Sequence, residues 1–234
     1  METSLHKQLK AHYGGPGAQT EIWVDEFRID TLSPANGELI EIQSAELGAL
    51  RDKVRVLLAR GHRLRVVKPL AIRKRILTLE CAGGEVVSCR ASPKHESFYD
   101  VFGELVHFVG TFPHPALTLE VVLTEQEEIR IPIRARRRRA KNYRVQDRAL
   151  LGITERRVFR TASDLCRMLP EGLGAVFSTA EMANLAGIPR WLAQKMAYCL
   201  RKTDAVRLAG KRRNSLLYEL LPQPVPKRRR KAAA

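Results

Sequence analysis

The chain predicts an α+β domain followed by a small, strongly basic second domain, and three observations carry that expectation. Residues 21–43 alternate apolar and polar with period two, the mark of short antiparallel strands. Apolar stripes at helical spacing stand before and after this stretch, so helices and strands follow in blocks. Charge is unevenly divided: residues 1–133 hold 16 Lys and Arg against 18 Asp and Glu, whereas residues 134–234 hold 25 against 7. A near-neutral first half joined to a basic second half points to a polyanionic partner for the latter.

The elements follow in order. Thr3 or Ser4 can cap a helix over 5–13 with Leu5 and Leu9 inward, and Gly14-Gly15-Pro16-Gly17 ends it. Within 21–43, Asp25-Glu26 makes one turn and residues 33–37 the next. Val24 then faces Phe27, Ile22 faces Ile29, Asp30 faces Glu41 and Arg28 faces Gln43. A one-residue slip in either hairpin would invert the apolar face, so the pattern specifies this register. Ser44 can cap a helix over 45–60 with Leu47, Leu50, Val54, Leu57 and Leu58 as its stripe. Strands are expected at 64–67, 75–79 and 85–89, a helix at 97–109, and a strand or a short buried segment at 117–123.

This register brings Glu21, Asp30 and Glu41 into one row across neighbouring strands. Cross-strand Cβ atoms lie roughly 4.5–5.5 Å apart, and like charges at that spacing destabilise a sheet. A raised pKa or a bound cation relieves the row, and Mg²⁺ accepts one or two carboxylates while keeping waters for a phosphate. The bland alternative is a solvated polar face of the sheet.

Asp30, ten intervening residues and then Glu41-Ile42-Gln43 resemble the motif of the PD-(D/E)XK, or restriction-endonuclease-like, nuclease superfamily. There an Asp ends one strand and an acid-x-Lys triplet sits on the next. The resemblance covers roughly residues 1–130. It implies a restriction-endonuclease-like α/β/α sandwich, with Asp30, Glu41 and Glu21 holding Mg²⁺ or Mn²⁺ and with Glu21, Asp30, Glu41 and Gln43 as the catalytic set. Two departures stand out: no Pro precedes Asp30, and Gln43 occupies the usual Lys position. Lys53, Lys68 or Lys74 would then supply the missing cation from a neighbouring element.

Residues 134–148 hold eight Lys or Arg in fifteen positions, among them Arg136, Arg137, Arg138 and Arg139. They read as a linker or arm attracted to phosphates by counterion release, or else as a merely solubilising linker. Beyond it, Thr161-Ala162-Ser163-Asp164 opens a helix stopped by Pro170, and Ser178 or Thr179 caps a short helix over 180–185. Gly187 turns the chain, and Pro189 starts a helix over 190–202 with Leu192, Met196, Cys199 and Leu200 inward. Strands at 206–208 and 215–220 flank a basic tip over 210–214. This order resembles a winged helix-turn-helix. The resemblance implies Arg190, Gln194 and Arg201 on the face of a recognition helix and Lys211, Arg212 and Arg213 on a DNA-contacting wing. Trp191 and Tyr198 read as partly buried packing residues rather than base-stacking platforms. The domains are therefore expected at 1–131, 132–149 (arm), 150–221 and 222–234, the last a disordered basic tail.

No run of 18 apolar residues exists and no leader is visible, so a soluble cytoplasmic protein is expected, nucleoid-associated in a bacterium or nuclear in a eukaryote. Cys81, Cys89, Cys166 and Cys199 form no C-x-x-C and read as reduced thiols. The six His receive no role. The functional expectation is a metal-dependent DNA endonuclease acting on double-stranded DNA, away from membranes, with a homodimer compatible with it. The alternative is a non-catalytic DNA-binding regulator or structural protein with a degenerate nuclease-like domain. An RNA-binding role is the weakest reading, since only 6% of residues are aromatic.

Overall fold

The computed structural model describes residues 2–133 and 142–222. The chain divides into two units, Met1–Arg160 and Thr161–Ala234. The first is α+β, built on one mixed sheet. Helix α1 (Ser4–Gly14) begins at Thr3, whose hydroxyl accepts the His6 amide. Strands β1 (Gln19–Val24), β2 (Phe27–Leu32) and β3 (Leu39–Ile42) follow as an antiparallel meander. A 3₁₀ turn (Leu47–Leu50) runs into α2 (Arg51–Ala59), and the chain returns as β4 (Leu64–Leu79), parallel to β3. Strand β5 (Val86–Ala91), a short helix α3 (Phe102–Leu105), and the long strands β6 (Leu117–Pro132) and β7 (Tyr143–Phe159) complete the unit. The strand order is β1-β2-β3-β4-β6-β7, with β5 on the far half of β4. Leu5 and Leu9 of α1 pack on Ile40, Ile42, Val67 and Val122, a cluster that anchors the helix beside the meander.

The hairpin register agrees with the hydrophobic alternation. Ile22 pairs with Ile29, Trp23 with Arg28 and Val24 with Phe27. Thr31 pairs with Ile40 and Leu32 with Leu39, the frame in which Asp30 stands opposite Glu41.

Four expectations are corrected. The strands expected at 64–67 and 75–79 are one strand that runs through Pro69. The Val67 carbonyl accepts the Gln43 amide, and Pro69, two residues on, has no N–H to continue the ladder, so the β3–β4 pairing ends there while β4 runs on beside β6. The helix expected over 97–109 shrinks to a 3₁₀ turn and α3, followed by turns closed by short-range bonds such as His107 N–H to Glu104 O. Ser44 caps nothing; the Leu47 amide, first of the turn that opens α2, donates instead to Glu104 Oε2 at 3.1 Å. The boundary also moves: residues 143–159, expected to straddle arm and second domain, form β7 along the edge of β6. β6 would otherwise expose an unpaired edge over its length, and the first unit therefore ends at Arg160.

The second unit comprises α4 (Ala162–Cys166), β8 (Val176–Ser178), α5 (Thr179–Ala186), α6 (Arg190–Lys202), β9 (Val206–Arg212) and β10 (Ser215–Leu220), with antiparallel order β8-β10-β9. Thr161 with Asp164, and Ser178 with Glu181, form reciprocal capping boxes. Gly187 closes α5 in the left-handed conformation at φ 64°. Pro189 stands one position earlier than expected, at the N-cap of α6. Strand β8 escaped the sequence reading because three residues carry too little alternation to register. Among the described residues no helix is long and apolar enough to cross a membrane.

Candidate functional site

The site lies where the β2–β3 ladder opens. Beyond the Thr31–Ile40 pair, side chains take over the backbone donors: Asp30 Oδ2 accepts the Ile42 amide at 2.7 Å, and Glu41 Oε1 faces the Asp30 amide at 3.3 Å. Both carboxylates are thereby held on strands rather than loops. Glu21, on β1, has φ 56°, a left-handed conformation uncommon for a residue with a side chain and found preferentially at constrained sites. A cleft of about 420 Å³ opens here, lined by Glu2, His6, Glu21, Arg28, Asp30, Gln43 and Ser44 among others.

The acidic row is compensated by bases. Glu21 is ion-paired with Lys10 and with Arg28. Asp30 Oδ1 lies 2.9 Å from His6 Nε2 and 4.0 Å from Lys10 Nζ. Glu41 Oε1 lies 2.6 Å from Lys53 Nζ of α2, which also donates to the Arg28 carbonyl. Lys10 reaches Glu2 as well, and His6 lies 3.7 Å from Glu2. The row is thus divided: Glu21 and Asp30 turn to α1, and Glu41 turns to α2.

Burial works to raise the Asp30 carboxyl, but the His6 bond, the Ile42 amide and the charges of His6 and Lys10 outweigh it and hold Asp30 below the usual carboxylate range. Glu41 moves the other way. Burial pushes its carboxyl up, the Asp30 charge adds to this, and Lys53 only partly offsets them. Opposite shifts on neighbouring acids are a mark of functional sites.

Of the other expected residues, Gln43 lines the cleft and donates from Nε2 to the Glu46 carbonyl at 2.7 Å. Lys53 joins the site, whereas Lys68 is buried against Glu104 and the Ala45 carbonyl, and Lys74 approaches Glu128 at 3.6 Å. Glu2, His6 and Lys10 were missed. The spacing of four residues, which brings His6 and Lys10 to one side of α1 with Glu2 just ahead of it, was the available signal. Among the described residues no three His, Cys, Asp or Glu side chains form a ready-made metal cage. A larger hollow of about 540 Å³ beside Asp52, Arg55 and His114 contains none of these converging groups.

In the second unit, α6 exposes Arg190, Gln194 and Arg201 as expected. Trp191 and Tyr198 are not packing residues: they are 53% and 39% exposed, with Lys195 and Lys202 over their rings at 5.5 and 5.9 Å. Leu192, Ala193, Met196, Ala197, Cys199 and Leu200 fill the inward stripe and leave both rings outside. Lys211 and Arg213 are exposed on the β9–β10 hairpin, and Arg212 is tied to Glu181 at 2.6 Å. Arg136, Arg137, Arg138 and Arg139 lie outside the described residues.

A family described as "Domain of unknown function (DUF8091)" matches residues 3–160, the extent of the first unit. A protein of Treponema pallidum (strain Nichols), named "Uncharacterized protein", is 31% identical over 183 residues, covering 78% of this chain and 72% of that one. No solved structure matches. With its sheet, its cleft and more than half of its length inside the matched stretch, the chain belongs to the DUF8091 family.

Proposed function

We propose that this protein is a metal-dependent endonuclease that hydrolyses DNA phosphodiester bonds, and that its second unit is a winged-helix module for duplex DNA. The carrying observation is the Asp30–Glu41 pair, two strand-held carboxylates whose shifts oppose each other, with Lys53 on the second. The order α1-β1-β2-β3-α2-β4, with an antiparallel meander followed by a parallel strand, supports the restriction-endonuclease-like reading. Three helices, a three-stranded sheet and a basic hairpin support the winged-helix reading.

The donor set fits a hard divalent cation. Asp30 and Glu41 offer oxygen ligands, and the Glu41 carboxyl, raised by burial first and by the Asp30 charge second, is one whose charged form a cation would favour. Two carboxylates suffice for Mg²⁺ or Mn²⁺, whose remaining positions belong to water and phosphate. Such an ion polarises a phosphate and lowers the pKa of a bound water. The chain's own groups do the rest. His6 and the Ile42 amide orient Asp30, Lys53 orients Glu41 and supplies the cation absent from position 43, and Gln43, which lines the cleft with its Nε2 on the Glu46 carbonyl, has its side-chain oxygen to orient water. Glu21 stands at the edge of the cleft, held by Lys10 and Arg28.

The test is plasmid cleavage by the full chain with Mg²⁺ or Mn²⁺. Asp30→Asn is expected to abolish cleavage and leave duplex affinity unchanged; undiminished cutting by this variant sinks the assignment. One observation favours a second reading, a non-catalytic DNA-binding regulator: each of the three carboxylates already has a basic partner. On that reading duplex binding is tight, salt-sensitive and indifferent to divalent cations, and the wild type does not cut.

A further inference from the structure

One strand away from the Asp30–Glu41 pair lies a second, smaller polar cavity of about 180 Å³. Gln43 donates its amide to the Val67 carbonyl, so Lys68 of β4 sits beside the acid-x-Gln triplet. Lys68 is 3% exposed, a costly position for a lysine. It lines this cavity with Lys74, Arg148, Gln126 and Ser44, and Ser44 also lines the larger cleft.

Hydrogen-bond accounting decides what the cavity accepts. Two carboxylates border it, and both are engaged. Glu96 accepts the Ala71 amide at 2.7 Å and Lys94 at 2.8 Å, and Glu104 accepts Lys68 at 2.7 Å and the Leu47 amide. Glu104 is engaged through Oε2, and most of the unspent capacity is that of donors. Lys68 has three N–H groups and uses two, on Glu104 and the Ala45 carbonyl. Lys74 stands 3.6 Å from Glu128, outside hydrogen-bond reach. Arg148 donates from Nε to Glu128 at 2.9 Å, and its terminal N–H groups have no recorded partner among the described residues. Ser44 Oγ is buried and has no partner among the described residues, because its expected capping role passed to Glu104. An unpaired buried hydroxyl beside three cations is the configuration an anion completes.

We propose that this cavity is a phosphate subsite, with Ser44, Lys68, Lys74 and Arg148 as its donors. Its identification with a phosphate of the nucleic-acid substrate rests on the nuclease reading; the anion chemistry itself does not. The experiment titrates the metal-free full chain with inorganic phosphate and follows amide chemical shifts. In the wild type the Ser44 backbone and Gln126 side-chain amides are expected to move saturably. Ser44→Ala and Arg148→Gln, read at Gln126, are each expected to weaken binding by about fivefold, the loss of one net hydrogen bond. Shifts confined to other basic residues, or variants that bind like the wild type, overturn the subsite.

Oligonucleotides then separate the sources. Displacement of phosphate by a 5′-phosphorylated strand alone assigns the cavity to a chain end, and displacement by a 5′-hydroxyl strand as well assigns it to the backbone. Displacement by neither leaves free phosphate as the ligand. Asp30→Asn is expected to keep the phosphate shifts, so a wild type that binds phosphate without cutting DNA overturns the nuclease reading and not the subsite.

Discussion

Lys53 and Glu41 pair a largely buried cation with a buried carboxylate, and the charge left behind sets what their separation costs. Without Lys53 the Glu41 charge is left buried beside Asp30. Lys53→Met is therefore expected to destabilise the fold by about 2–3 kcal/mol, the worth of a hydrogen bond to a charged group in partial burial. The sign of its pH dependence follows from the upward shift. A carboxyl raised in the folded state keeps its stabilising contribution below its unfolded pKa and loses it as pH rises through the folded value. The penalty should thus be small near pH ~4, where Glu41 is protonated, and full near pH ~8. Urea midpoints for wild type and variant at both pH values check this; a pH-independent penalty would show that Lys53 acts by packing. Asp30 has the opposite sign, its stabilising contribution being lost as pH falls. The acids and Gln43 were legible from their alternation. Their partners were not, because His6 and Lys53 meet them only after α1 and α2 have packed.

Helix ends are the features most completely written in local sequence. The Thr161–Asp164 box needs only four consecutive residues and forms as read, and Ser178, one of two caps expected for α5, makes a second box with Glu181. Ser178→Ala is expected to cost about 1 kcal/mol, as is Gly187→Ala, which forces a side chain into a left-handed cap. Denaturant midpoints followed by far-UV circular dichroism report both, and a cost near zero for Ser178→Ala would mean that the box is not formed in solution. The Arg212 bond, with the Ser178 amide and hydroxyl, lowers the Glu181 carboxyl to about 2. This contribution is present above the ordinary carboxylate range and lost as pH falls toward 2. The other elements obeyed distant partners. Ser44 lost its cap to Glu104, sixty residues on, and the strands expected on either side of Pro69 fused because β6 runs along their whole length.

Charge belongs to the whole molecule. The imbalance of 25 Lys and Arg against 7 Asp and Glu in residues 134–234 predicts duplex binding that weakens steeply with salt. Exposed Lys211 and Arg213 are expected to contribute about 0.9 each to the slope of log K against log salt, so alanine at either flattens it by about that amount. Arg212, already neutralised by Glu181, should contribute less. Anisotropy titrations over a salt series measure all three, and equal slopes for wild type and variants would remove the hairpin from the interface. By itself the sequence determined the α+β class, the hairpin register, the Thr161–Asp164 capping box and the uneven charge, since each depends on composition, on periodicity or on bonds spanning a few residues. The tertiary structure alone decided that residues 143–159 complete the first sheet, that α1 and α2 supply the bases for the acidic row, and that Trp191 and Tyr198 face outward. These follow from pairings between distant segments, where the free energy of closing an edge or burying a stripe outweighs local preference.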